Sequence, residues 1–196
     1  MAVPSLPAEQ LSQEFYRQWS DTPFGAVKHP DDLERYRRII AATDPDVLIE
    51  TGTAHGGSAK FFASLGIEVI TVDVAASGHE PVDGITWLTG NSTDPEIVET
   101  IRGLVDGRRV MVCLDSAHDI GHVTNELDCY ADMVSSGCYC VVEDGIVSFY
   151  NPGREESSPR DAALAWFAGR DGWAHDDDLE ALTPTTMHPD GWWFRA

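Results

Sequence analysis

Basic residues are scarce in this chain of 196 residues, where 13 lysines and arginines stand against 33 aspartates and glutamates for a formal charge of -20. Such a surface repels phosphate backbones and anionic lipid, so neither nucleic acid nor membrane is an expected partner. Long apolar runs are missing as well. No stretch is long enough to span a bilayer, and MAVPSLPAEQ lacks the basic start and apolar run of a signal peptide. Cysteine is rare: Cys113, Cys129, Cys138 and Cys140 lie in or beside apolar runs, without the CxxC pairs of a zinc ribbon. They read as buried free thiols, and the chain as cytoplasmic. There is no internal repeat and no low-complexity tract, and 42% hydrophobic residues over this length suit a single α/β domain.

What is present is an alternation. Residues 8–19 read as a helix, and DDLERYRRIIAAT (31–43) as a stronger one, since a proline precedes Asp31 and Leu33, Tyr36, Ile39 and Ile40 share a face. Short apolar runs follow: DVLIET (46–51), EVITVDV (68–74), ITWLTG (85–90), RRVMVCLD (108–115) and CYCVVED (138–144). Helix patterns at 57–65, 95–105, 120–134 and 159–169 separate them. Strands this apolar, alternating with helices, indicate a parallel sheet covered on both faces. The polar NPGREESSPR (151–160) reads as a loop. WAHDDDLEAL and GWWFRA read as closing strands suited to an antiparallel hairpin, with Trp192, Trp193 and Phe194 as core or edge packing.

The first strand runs into IETGTAHGGSAKFF. In a doubly wound sheet the turn after the first strand faces the ligand crevice. Its glycines let a nucleotide or nucleoside approach the backbone at the free N–H groups of the next helix. The spacing is neither GxGxxG nor the GK[ST] of a phosphate loop. Glu50 precedes the turn, Ser58 follows it, and Asp73 ends the second strand, placed to accept both hydroxyls of a ribose. A carboxylate so near the turn disfavours pyrophosphate and suits a cationic ligand. ExGxxxGxS with this second acid resembles the S-adenosylmethionine pattern of class I methyltransferases. GNSTD (90–94) falls where the third strand would reach the adenine, and reads equally well as a turn in which Asp94 caps the helix starting at Pro95.

The stretch LDSAHDIGHV (114–123) gathers Asp115, His118, Asp119 and His122. Asp115 ends the fourth strand, and Glu143 and Asp144 end the fifth. If these strands are neighbours, three carboxylates converge at the carboxyl edge of the sheet and suit Mg²⁺. His118, on the following loop, would then act as general base on a hydroxyl whose pKa the metal lowers. Two other readings stand beside this one. The acids could simply cap a helix and meet solvent, or His118 and His122 could form a zinc site of the HExxH kind, with Glu143 as third ligand. HDIGH has Asp where that motif has Glu, and a glycine inside the would-be helix.

Taken together, KxPxDLxxY, ETGTxxGGS, DSxH and VVED over residues 24–145, with the ending HPDGWWFRA, resemble the cephalosporin hydroxylase family. That family includes Mg²⁺-dependent O-methyltransferases acting on sugars of macrolides and other natural products. The resemblance implies metal ligation by Asp115, Glu143 and Asp144, with His118 as base. It implies cofactor contacts from Glu50, Gly52, Thr53, Gly56, Ser58 and Asp73, with Ser92 toward the adenine and Asp115 also near the cofactor. Catechol-type relatives carry lysine at the position of His118, which favours the sugar branch; Lys28 would lie near the site without an assigned role. With only about 45 residues before the first strand, the acceptor pocket is either open or completed by a neighbouring subunit of a homo-oligomer.

These expectations amount to a Rossmann-like class I methyltransferase domain over 46–196. It would be a doubly wound, mostly parallel seven-stranded sheet with an antiparallel C-terminal strand, preceded by a helical segment, 1–45, that could serve as a lid. The expected reaction is methyl transfer from S-adenosylmethionine, with Mg²⁺, to a hydroxyl of a small natural product, foremost a sugar. A vicinal phenol or amine acceptor, or a non-catalytic cofactor-binding protein, are the alternatives.

Overall fold

The computed structural model describes residues 22–75, 78–150 and 158–196; the helix expected at 8–19 lies outside them. After a 3₁₀ turn at Pro23–Gly25 comes α1 (Pro30–Thr43). His29 caps it, its Nδ1 accepting the N–H of Asp31 at 3.1 Å, and Pro30 takes the first-turn position where no N–H is needed. Leu33, Tyr36, Ile39 and Ile40 are buried, as their spacing predicts.

The alternation then follows: β1 (Val47–Thr51), α2 (Gly57–Ser64), β2 (Glu68–Asp73), β3 (Ile85–Thr89), α3 (Pro95–Val105), β4 (Val110–Leu114) and α4 (Ile120–Tyr130). A 3₁₀ turn, Ala131–Met133, leads to β5 (Tyr139–Val142), α5 (Val147–Tyr150), α6 (Pro159–Phe167), β6 (Trp173–His175), α7 (Asp177–Glu180) and β7 (Trp192–Arg195). The seven strands form one sheet in the order β3-β2-β1-β4-β5-β7-β6. β1 to β5 pair in parallel, and β7 runs antiparallel to both β5 and β6. The closing hairpin is thus realised with α7 and a long connection between its two strands. Among the described residues, no helix is long and apolar enough to cross a membrane.

Strand alternation divides the interior in two. Val47, Ile49, Val110, Val112 and Leu114 face one core with residues of α3, α4 and α6; Leu48, Met111 and Cys113 face the other with α1 and α2. Trp192 is fully buried in the second core, while Trp193 stacks on Phe167 in the first, at 4.2 Å between centroids. All four cysteines are free, and Cys113, Cys138 and Cys140 are buried. Because the chain runs outward from β1 to β3 and then crosses back to β4, a crevice opens at the carboxyl ends of β1 and β4.

The C-terminal segment is held onto α1 by one buried arginine. Arg35 is 0% exposed; it pairs with Asp32 at 3.0 Å and donates to the carbonyls of Leu179, Glu180, Thr183 and Thr185 at 2.6–3.0 Å. Arg35→Met would leave four carbonyls without their donor and Asp32 without its cationic partner. It should cost about 3–5 kcal/mol in urea unfolding, and a loss under about 1 kcal/mol would show that the segment is held by other contacts.

Candidate active site

A cleft of about 460 Å³ occupies the crevice, lined among others by Gly52, Asp73, Ser92, Asp115, His118 and Asp144. Six of the residues singled out from sequence therefore meet at one place, delivered by the ends of β1 to β5. Glu50, Thr53, Gly56, Ser58 and Glu143 are not on its wall.

At its floor, ligand atoms of Asp115, His118 and Asp144 all lie within 4.8 Å of one another, close enough to share a cation. His118 Nε2 is 3.0 Å from Asp144 and 3.9 Å from Asp115. Asp115 foremost, and Asp144 with it, hold the imidazole protonated and raise its pKa to about 10. Asp144 sits at φ 53, a left-handed conformation that aspartate tolerates better than most residues. Its N–H is bound at 2.9 Å by Nδ1 of the buried His188.

Glu143 departs from the expected convergence of three carboxylates. Both acids lie just past the end of β5, and the left-handed backbone at Asp144 turns the chain there, so while Asp144 opens to the cleft, Glu143 is buried at 2% exposure. Its Oε1 accepts the Tyr36 hydroxyl and the Cys113 thiol, and its Oε2 accepts Lys28 Nζ at 2.5 Å. His188 Nε2 stands 3.6 Å from Oε2. Lys28 also reaches Asp115 Oδ2 at 2.9 Å, joining Glu143 to the cleft floor. Burial opposes the charge on Lys28, yet Asp115 and Glu143 keep its pKa well above the ordinary value. Sequence reasoning missed Tyr36, Cys113 and His188 as site residues and gave Lys28 no role. The available signal was that Lys28 is one of only two lysines in the chain.

The glycine turn owes its composition to close packing. Gly52 has φ 87, and a Cβ there would stand 1.8 Å from the carbonyl oxygen of Asp115. At Gly57 it would stand 2.5 Å from that of Gly25, and at Gly56, φ 72, 2.9 Å from the Trp87 ring. Asp73 accepts the N–H of Ala54 and of Ala75, both at 2.9 Å, bracing the turn against the end of β2. Thr53 and Thr71 share a hydrogen bond of 2.7 Å, and Thr71 donates to Glu50 Oε2 at 2.7 Å. Glu50 Oε1, fully buried, finds no donor among the described residues. Burial raises the Glu50 pKa to about 7, against the pull of Lys28, Ser58 and Thr71.

GNSTD serves two purposes. Asp94 caps α3 through the N–H of Glu96 at 2.9 Å, while Ser92 lines the cleft. Ser92 donates at 2.5 Å to Glu126, which also accepts Ser116 at 2.7 Å, and His122 Nε2 is 3.1 Å from Ser92. This arrangement overturns the zinc reading. Asp119 is the N-cap of α4, accepting the N–H of His122 at 2.8 Å, so His118 precedes the helix and the two imidazoles part, one to Asp144 and the other to Ser92 and Glu126.

A sheet in this order, with a glycine turn after β1, an acid ending β2 and a reversed last strand, is the fold of class I methyltransferases. Solved structures of that class superpose on it. An apo structure of CmcI aligns with a TM-score of 0.66, 24% identity, and 87% of this chain on 73% of the other. MycE, in complex with Mg, SAH and mycinamycin VI, aligns with a TM-score of 0.57, 17% identity, and 83% on 45%. The chain belongs to the rhamnosyl O-methyltransferase/CmcI family, whose model matches residues 14–196. The rhamnosyl O-methyltransferase of Mycobacterium tuberculosis (strain H37Rv) is 28% identical over 166 residues, which are 72% of this chain and 66% of that protein.

The raised pKa of Glu50 carries a consequence for stability. A carboxyl that keeps its proton in the fold up to about pH 7, but loses it in the unfolded chain at ordinary acidity, makes stability fall as pH rises between the two values. Glu50→Gln should remove that decline and be more stable than the parent by roughly 1–3 kcal/mol at pH 8, with little difference at pH 4. Parallel unfolding curves for the two proteins from pH 4 to 8 would overturn this account of Glu50.

Proposed function

We propose that the protein is a metal-dependent O-methyltransferase that moves a methyl group from S-adenosylmethionine to a hydroxyl of a small natural product, with a sugar as the acceptor class. The observation that carries this reading is a single cleft holding both the glycine turn with Asp73 and the cluster of Asp115, His118 and Asp144. The names of the relatives, a rhamnosyl O-methyltransferase and a methyltransferase complexed with mycinamycin VI, point to a glycosylated acceptor.

The residues present fit both groups. For the cofactor, Glu50 Oε1 is a buried acceptor lacking a donor, and Gly52, Asp73 and Ser92 line the cleft from turn to adenine end. For a hard divalent ion, Asp115 and Asp144 offer carboxylate oxygens within reach of one site, while Glu143, the third ligand that the resemblance implies, is held by Lys28 behind Asp115 and outside that cluster. Bound there, Mg²⁺ would neutralise carboxylate charge and lower the pKa of the acceptor hydroxyl.

What the chain itself contributes is alignment and a proton acceptor. The hydroxyl oxygen forms its bond to the methyl carbon as the carbon–sulfur bond breaks, and the hydroxyl proton must leave. His118 is the group placed to take it. With Asp115 and Asp144 neutralised, the cause of its raised pKa is gone and the imidazole can act as base. Asp73 would hold the ribose and Ser92 would face the adenine, contacts that would help hold the methyl in line with the reacting oxygen.

Calorimetric titration of S-adenosylmethionine and then Mg²⁺ into metal-free protein tests the reading. Both should bind, and Asp115→Asn should abolish Mg²⁺ binding; if neither binds, the reading is wrong. With a sugar acceptor and labelled cofactor, His118→Ala should keep cofactor affinity within a few-fold while kcat falls by about 10²–10⁴. Unchanged turnover would remove His118 from the proton transfer, and turnover with catechols or amines in place of sugars would move the acceptor class.

A further inference from the structure

Lys28 is fully enclosed, 2% exposed, and its ammonium touches the inner oxygens of Asp115 and Glu143. A buried ammonium persists only where anionic partners compensate its lost hydration. Here the partners are Asp115, which belongs to the cluster at the cleft floor, and Glu143, buried behind it. The rest of the Glu143 shell carries no fixed positive charge: the Tyr36 hydroxyl and the Cys113 thiol on Oε1, and the His188 imidazole with Nε2 3.6 Å from Oε2. Lys28 is thus the permanent cation of this cluster. With His118 neutral, the charges close in a simple way: Asp115, Glu143 and Asp144 bring three negative charges, Lys28 cancels one, and a divalent ion would cancel the remaining two.

We infer that Lys28 is an internal cation that shares Asp115 with the metal, holding Asp115 and Glu143 together in the metal-free chain and setting the site to the charge of a divalent ion. The inference rests on the metal reading of the cleft and assigns a residue that the reading leaves without a part. Lys28 is a positioning residue here and makes no contact with reacting atoms. Its presence lowers the affinity for any cation, because like charges repel across a poorly screened interior, and penalises a trivalent ion most.

The test compares metal binding by the parent, Lys28→Met and Lys28→Gln, with Mg²⁺ followed by calorimetry and Tb³⁺ by its sensitised luminescence. Each variant should lose thermal stability without metal, bind Mg²⁺ at least about tenfold more tightly than the parent, and gain still more for Tb³⁺, so that the ratio of Tb³⁺ to Mg²⁺ affinity rises. A purely structural lysine would lower stability and leave that ratio unchanged. Lys28→Gln keeps N–H donors for both carboxylates and carries the comparison if Lys28→Met does not fold. If the parent binds Mg²⁺ and the folded variants bind it equally or more weakly, the inference about Lys28 is overturned while the metal reading stands. If the parent itself binds no Mg²⁺, the metal reading fails and the inference with it.

Discussion

A carboxylate cannot be taken out of water without donors to replace its hydration, and the burial of Glu143 imposes that demand on the whole carboxyl edge of the sheet. Three separate segments answer it with donors: Lys28 from the turn before α1, Tyr36 from α1 itself and Cys113 from β4. His188, from the connection ahead of β7, adds an imidazole whose Nε2 stands 3.6 Å away. Burial alone would raise the Glu143 pKa; Lys28 and His188 outweigh it and hold the group below its ordinary value. The pair Lys28–Glu143 also fixes Asp115, since one ammonium binds both carboxylates.

The same logic recurs at the next buried charge, and the two are connected. Asp32 accepts from Arg35, from the Thr186 hydroxyl at 2.7 Å and from the N–H of Met187 at 2.9 Å. Those contacts pin the strand of chain that immediately precedes His188. His188 then spans the gap, its Nδ1 receiving the N–H of Asp144 and its Nε2 lying 3.7 Å from Asp32 and 3.6 Å from Glu143. α1 is therefore the element that ties the C-terminal quarter to the cleft. A change on α1 well away from the cleft can shift Asp144 by loosening the loop that supports its backbone.

Periodicity and turn chemistry made the framework legible in the sequence. The apolar runs at 46–51, 68–74, 85–90, 108–115 and 138–144 each contain a strand, Asp94 and Pro95 open α3 as read, and Asp73 and Asp115 fall at strand ends beside the glycine turn. What could not be read was direction. VVED places two acids side by side, and only the backbone beyond β5, left-handed at Asp144, shows that one opens to the cleft while its neighbour turns into the core. Nor does local sequence announce a partner 115 residues away, as Lys28 is to Glu143. The HDIGH spacing misled for a local reason: Asp119 ends the loop by capping α4, so the two histidines never share a helix face.

The state of His118 follows from this arrangement. In the metal-free chain Asp115 and Asp144 make it an imidazolium, which balances part of the acidic charge at the cleft floor and has no vacant lone pair at the nitrogen facing them. Under the proposed function, His118 would become a base only if another cation took over that balance. A divalent ion held by Asp115 and Asp144 would then favour loss of the His118 proton through the same two carboxylates. Lys28 cannot perform that exchange, because its ammonium is held on the inner side of Asp115 by Glu143. The division of labour between the two cations, one fixed beneath the cleft and one replaceable at its floor, lets a strongly acidic site stay folded without committing its base in advance.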